Sequence, residues 1–149
     1  MKIEEEIKQK KFRSPLQKVA INLFFTASWL QNQQQQFFKP FGITPAQFNI
    51  LRILRGQVPN KISGAEIKSR MLDKNSDIPR LLDRLITKKL ISKSPCPNDK
   101  RAADITITEK GLEVLKQIDP ILDRTEKANL HLTEEEAAQL SSLLDKARG

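Results

Sequence analysis

Helix starts recur along this chain, and a single hairpin signal sits among them. Ser14-Pro15-Leu16-Gln17 and Thr44-Pro45-Ala46-Gln47 each offer a capping hydroxyl, a proline at the first helical position and a glutamine at the third. The hydroxyl accepts from an early backbone N–H and the glutamine reaches back to the cap. The N–H that proline lacks has no intrahelical partner there anyway. Ser63-Gly64-Ala65-Glu66 and Thr133-Glu134-Glu135-Glu136 repeat the device, and Thr108 after Ile107 is a plainer cap. A chain so punctuated is mainly helical.

Apolar spacing extends these starts into elements. A first helix is predicted from Pro15 to about Phe38. It carries Leu16, Val19, Ala20, Leu23, Phe24, Ala27, Leu30, Phe37 and Phe38, with Phe25 and Trp29 beside them. That stripe is too wide for one face. The helix is either a core element buried on two sides or one shared with a second subunit. Gln33 to Gln36 reads as a solvated stretch of it, and Pro40 and Gly42 end it. Further helices are predicted over Thr44 to Arg55, Gly64 to Met71 and from Ser76 with Ile78, Leu81, Leu82, Leu85 and Ile86 on one face. Leu90 to Lys93 reads as extended, Ser94 to Arg101 as a tight turn, and Ala102 to Ile107 as the returning strand. Glu109 to Leu130 and Glu134 to Lys146 close the chain as helices, with Asp119-Pro120 a point where the first would kink or split.

Charge narrows the partner. The chain of 149 residues carries a net +8. From Lys61 to Arg101 there are eleven basic and five acidic residues, whereas from Leu112 to Gly149 there are five basic and eight acidic. The middle is therefore built for a polyanion and the end for something else. One cysteine, Cys96, and one histidine, His131, exclude an intrachain disulfide and a structural zinc site. Cys96 reads as an unremarkable thiol, with oxidation of an exposed wing cysteine the sharper alternative. Neither a nucleophile–base set nor a phosphate loop is present, so the expectation is no enzyme, no cofactor and no metal. No run reaches the roughly 18 to 20 apolar residues of a membrane span, and Met1 to Arg13 lacks the apolar core of a signal peptide. The expected location is the cytoplasm, with no membrane partner.

Two helices joined by the short turn Leu72 to Asn75, followed by a hairpin, form a helix-turn-helix with a wing. The second helix would enter the DNA major groove by its N-terminal end. Its candidates are Ser76, Asp77, Pro79, Arg80 and Arg84, with Lys88 further along the same exposed face. Arginine can donate two hydrogen bonds to guanine. Lys74 in the turn and Lys93 on the outgoing strand add positive charge beside them. The wing tip offers Asp99, Lys100 and Arg101, an arginine on a narrow hairpin that suits the minor groove. Phe24, Phe25, Trp29 and Phe48 are either core aromatics or the lining of a pocket for a small aromatic effector.

Gly42 to Leu51, Arg80-Leu81-Leu82-Asp83-Arg84-Leu85, Asp99-Lys100-Arg101 and Ile107-Thr108-Glu109-Lys110-Gly111 together resemble the MarR family of bacterial transcription regulators. The resemblance runs from about Leu23 to Ile118. It implies one domain over 1–149, a winged-helix region at 41–108 and dimerisation helices at 14–40 and 109–149. It further implies a homodimer, a pseudo-palindromic double-stranded operator, repression relieved by a small and often phenolic ligand, and an Asp99 that orients Arg101 into the minor groove. Two departures stand out. Lys89 occupies a position where the family has glycine, and Pro79 replaces a small polar residue. The competing readings are a non-specific architectural DNA binder and a winged-helix protein–protein module.

Overall fold

The computed structural model describes residues 1–149 except for the side chain of Lys100. Its helices are α1 (Ile3–Glu6), α2 (Pro15–Phe38), α3 (Pro45–Gln57), α4 (Gly64–Arg70), α5 (Ile78–Thr87), α6 (Glu109–Asn129) and α7 (Glu134–Arg148). Lys39–Phe41 is a 3-10 turn between α2 and α3. The strands are β1 (Ile62–Ser63), β2 (Ile91–Cys96) and β3 (Asp99–Ile107), antiparallel in the order β1-β3-β2. The fold is mainly helical with a small β wing, as the sequence pattern requires.

The core is built from residues between Phe38 and Ile118. Ile50 and Leu51 of α3, Ile67 of α4, Leu85 of α5, Ile105 of β3 and Leu115 of α6 are essentially inaccessible. Each such side chain stabilises the fold by about 1.5–3 kcal/mol relative to exposure. By contrast, α2 buries only Phe38 at its far end. Leu16 is 79% exposed and Phe24 80%. The reading of α2 as a core helix within one chain therefore fails, and its apolar stripe is left uncovered.

The predicted caps form, with local differences. Thr44 with Gln47 and Thr133 with Glu136 make complete capping boxes. Ser14 accepts from the Gln17 N–H, but the Gln17 side chain reaches past it to the Arg13 N–H at 2.6 Å. Ser63 caps α4, while Glu66 turns to Arg70 one helical turn on. Pro120 does not split α6 into two elements. The same stretch buries Ile118 and pins Asp119 to Arg55 of α3 through two hydrogen bonds of 2.7 and 3.2 Å. Those contacts offset the roughly 3 kcal/mol that an interior proline costs.

The hairpin turn is tighter than its composition suggests. β2 continues through Pro95 to Cys96 and β3 begins at Asp99, so only Pro97 and Asn98 lie between the strands. β2 is an edge strand, where a proline's missing donor is tolerated, and the register shifts at Pro95/Cys96. Two short elements left little pattern to read. β1 pairs Ile62 and Ser63 with Ile105 and Asp104. α1 buries Ile3 and holds Glu4 against Lys18, whose hydrogen bond lowers the Glu4 carboxyl below its ordinary range.

Two backbone positions join α5 to the wing and α6. Lys89 adopts the left-handed conformation at φ +61. Its N–H donates to the Ile86 carbonyl at 2.8 Å, and the Leu90 N–H donates to the Leu85 carbonyl at 3.0 Å. This is a Schellman ending with lysine where glycine is favoured. Gly111 lets the first turn of α6 approach the Leu90 carbonyl, because a Cβ there would lie 2.3 Å from that oxygen. Replacing Lys89 by glycine should stabilise the protein by about 1 kcal/mol and raise the thermal midpoint by about 3 °C. An unchanged or lower midpoint in a calorimetric melt would show that the lysine side chain offsets the strain.

Candidate nucleic-acid interface

The turn between α4 and α5 is fixed from below and from within. Asn49 of α3 is 5% exposed, and its Oδ1 accepts the Leu72 N–H at 2.9 Å. Its Nδ2 has no protein partner among the described residues. Within the turn, the Asp73 carboxylate accepts the Asn75 N–H at 2.9 Å, and the Asp73 carbonyl accepts the Ser76 hydroxyl at 2.8 Å. α5 begins two residues later than the apolar pattern suggests, because the Asp77 carboxylate caps it by accepting the Arg80 N–H at 3.3 Å. Pro79 sits in the first helical turn, where its missing N–H costs nothing.

Burial divides α5 into two faces. Ile78, Leu82 and Leu85 are buried, whereas Pro79, Arg80, Asp83 and Arg84 are exposed. Arg80 and Arg84 are four residues apart and so share a face. Neither belongs to an ion pair among the described residues. Both guanidiniums can therefore be offered outward.

The wing stands across a groove of about 1260 Å3 from α5. Pro79 and Asp83 of α5 face it, with Lys68 of α4 and Lys93, Asp99 and Arg101 of the wing. The Asp99 carboxylate accepts the Arg101 backbone N–H at 2.9 Å. It thus sets the main chain of the wing at Arg101 rather than gripping the guanidinium.

The sequence-derived candidates therefore separate into groups. Pro79, Lys93, Asp99 and Arg101 come together around the groove, and Arg80 and Arg84 lie on the outer face of α5. Asp77 and Ser76 spend their side chains on the helix start and the turn. The Lys74 ammonium bonds the Ser69 carbonyl. The Lys100 side chain lies outside the described residues. Lys88 does not join Arg80 and Arg84 on the outer face. Its ammonium turns inward to α3, to Gln47 Oε1 at 2.9 Å. Lys68, on the groove wall, entered the sequence reading only through its charge. Asn49 gave no signal, since a polar residue in a buried helix face shows its purpose only once Leu72 is placed beside it.

The four aromatic candidates are dispersed. Phe48 stacks on Phe38 with ring centroids 4.4 Å apart. Phe24 is exposed and Phe25 half-buried on α2, and Trp29 lies on the same helix. None of them lines the groove beside the wing or the shallow hollow on α7. Cys96 is half-buried at the irregularity in β2.

A helix presented through a tight turn from a second helix, with a basic hairpin alongside, defines a winged helix-turn-helix DNA-binding protein. Comparison with known proteins agrees. Residues 43–103 match the model of the MarR family. The multiple antibiotic resistance protein MarR of Escherichia coli K12 is 31% identical over 113 residues, covering 74% of this chain and 77% of that protein. A crystal structure of a mutant of E. coli MarR complexed with operator DNA superposes with a TM-score of 0.71 at 28% identity, over 85% of this chain and 91% of that one. The complex of S. aureus MepR with DNA gives 0.74 at 26% identity, over 85% and 93%. The chain belongs to the MarR family. It is a DNA-binding transcription regulator and not an enzyme.

Replacing Arg101 by alanine should weaken duplex binding and lower the slope of log affinity against log salt by about one unit. Unchanged affinity in a salt titration would remove the wing from the interface.

Proposed function

We propose that this chain acts as a homodimeric, sequence-specific repressor at a pseudo-palindromic operator. In this reading α5 enters the major groove, with Arg80 and Arg84 at base edges. The wing sends Arg101 into the adjacent minor groove, and Lys93 with Lys100 supplies phosphate contacts. The observation that carries it is the pair of arginines, in no ion pair among the described residues, on the outer face of a helix whose other face is packed into the core. The E. coli and S. aureus structures with DNA supply the precedent for the partner.

What one chain leaves uncovered supports the dimer. Leu16, Val19, Leu23 and Phe24 of α2, with Leu140 and Leu143 of α7, are exposed. Two copies that intertwine segments 14–40 and 109–149 would bury them, leaving 41–108 to reach DNA from each side. Phe24, Phe25 and Trp29 would then line the subunit junction, where a small aromatic effector could act on the dimer. No helix is long and apolar enough to cross a membrane, and a repressor of this kind works beside the chromosome in the cytoplasm.

A competition assay tests the reading. A duplex selected by the protein from a random pool should bind at least a hundredfold more tightly than unselected duplex at physiological salt, in keeping with the roughly 10³-fold or greater ratios of specific binders. Ratios within about threefold would favour an architectural binder using charge alone. No duplex binding at any salt would favour a protein–protein module.

A further inference from the structure

The helix α5 is fastened at its C-terminal end by a contact made in the absence of DNA. Lys88 is the C-terminal cap of α5 and is half-buried. Its ammonium donates to the carbonyl oxygen of Gly42 and to Gln47 Oε1, the latter at 2.9 Å. Gln47 is 2% exposed, and the same Oε1 accepts the Thr44 N–H that completes the cap of α3. Gly42 lies at φ +70, where the chain turns from α2 and its 3-10 extension into α3. One cation thus joins the end of α5, the α2–α3 corner and the start of α3. No carboxylate pairs with it among the described residues. Behind it, the Lys88 carbonyl accepts from Lys110 at 3.2 Å and the Lys89 carbonyl from the Thr108 hydroxyl at 2.7 Å, both at the start of α6.

We propose that Lys88 is a positioning residue for operator recognition: it fixes the angle at which α5 presents Arg80 and Arg84, and makes that angle depend on the α2–α3 corner. The proposal rests on the regulator reading above. Its force is geometric. A ten-residue helix is about 15 Å long, so a pivot of about 10° at the C-terminus moves the N-terminus by about 2.6 Å. Bidentate base contacts tolerate about 0.5 Å. Phosphate contacts by flexible lysines and arginines tolerate far more. Loss of the Lys88 anchor should therefore reduce base discrimination and leave charge-driven binding intact.

The test uses the intact protein with two duplexes, one selected by the wild type from a random pool and one unselected. Lys88→Met keeps the alkyl stem and removes the donors. It should lose about tenfold in affinity for the selected duplex, the size expected when one bidentate base contact is misplaced. Its affinity for unselected duplex and its salt slope should match the wild type. Lys88→Arg, which retains donors for both acceptors, should recover most of the loss. A salt slope lowered by about one unit, with equal loss on both duplexes, would make Lys88 a phosphate ligand and overturn the proposal. Equal loss with an unchanged slope, or no loss, would overturn it as well. A measurement on the wild type stands even if Lys88→Met does not fold. The Lys88 ammonium resonance should be protected from exchange before DNA is added and remain unshifted afterwards. Protection that arises only with duplex would overturn the proposal. Failure of the regulator reading shows separately, as absence of discrimination by the wild type itself.

Discussion

A helix as short as α5 cannot hold itself in water, and everything this protein does with DNA depends on what holds it. Isolated helices below about 12–15 residues are marginal, because nucleation costs more than a few hydrogen bonds return. Here Ile78, Leu82 and Leu85 sink one face into a core shared with α3, α4, β3 and α6. The Asp77 cap fixes the first turn, and the Schellman ending at Lys89 and Leu90 fixes the last. Leu90 then leads directly into the wing, and its carbonyl accepts the N–H of Thr108, the cap of α6. α5, the hairpin and the long C-terminal helix are thus tied together at one hydrogen-bonded junction.

That junction sets where the basic side chains of α5 and the wing are presented. In the proposed reading, Arg80 and Arg84 can meet base edges only from a helix held at one angle, and Arg101 the minor groove only from a hairpin of fixed reach. Asp99 contributes by holding the backbone of Arg101. Strain is accepted where the junction is tightest, with a left-handed lysine at position 89 and a glycine at 111 that has no room for a side chain. The acidic C-terminal segment joins this region through α6, where Leu115 and Ile118 are buried. Its α7 instead carries exposed leucines, as α2 carries exposed aromatics and aliphatics, and these surfaces account for the over-wide stripe of the first helix.

Most of the fold could be read from hydroxyl caps and apolar spacing, because those signals are local. Thr44 with Gln47 and Thr133 with Glu136 behave as written in the sequence. What could not be read depended on partners distant in the chain. The start of α5 shifted because Ser76 bonds back to Asp73 and leaves the cap to Asp77. Pro120 leaves α6 unbroken in a stretch where Ile118 is buried in the core and Asp119 bonds Arg55, far away in sequence. Helical spacing places Lys88 near the exposed face of Arg80 and Arg84, yet the Gly42 carbonyl at the α2–α3 corner and Gln47 Oε1 of α3 draw it inward. Within the candidate interface, Arg80, Arg84, Lys93, Asp99 and Arg101 were legible as types and positions. Asn49 was not, since its value lies in one backbone N–H of the turn.

The central claim is that two copies of this winged helix read one duplex together, each through α5 and its wing. Hydroxyl-radical footprinting on a selected duplex, combined with interference by guanine methylation, tests it most directly. The account predicts two protected major-groove patches about one helical turn apart, roughly 34 Å between centres, each flanked by minor-groove protection from a wing. A single protected patch, or even protection along the whole duplex without methylation interference, would contradict it.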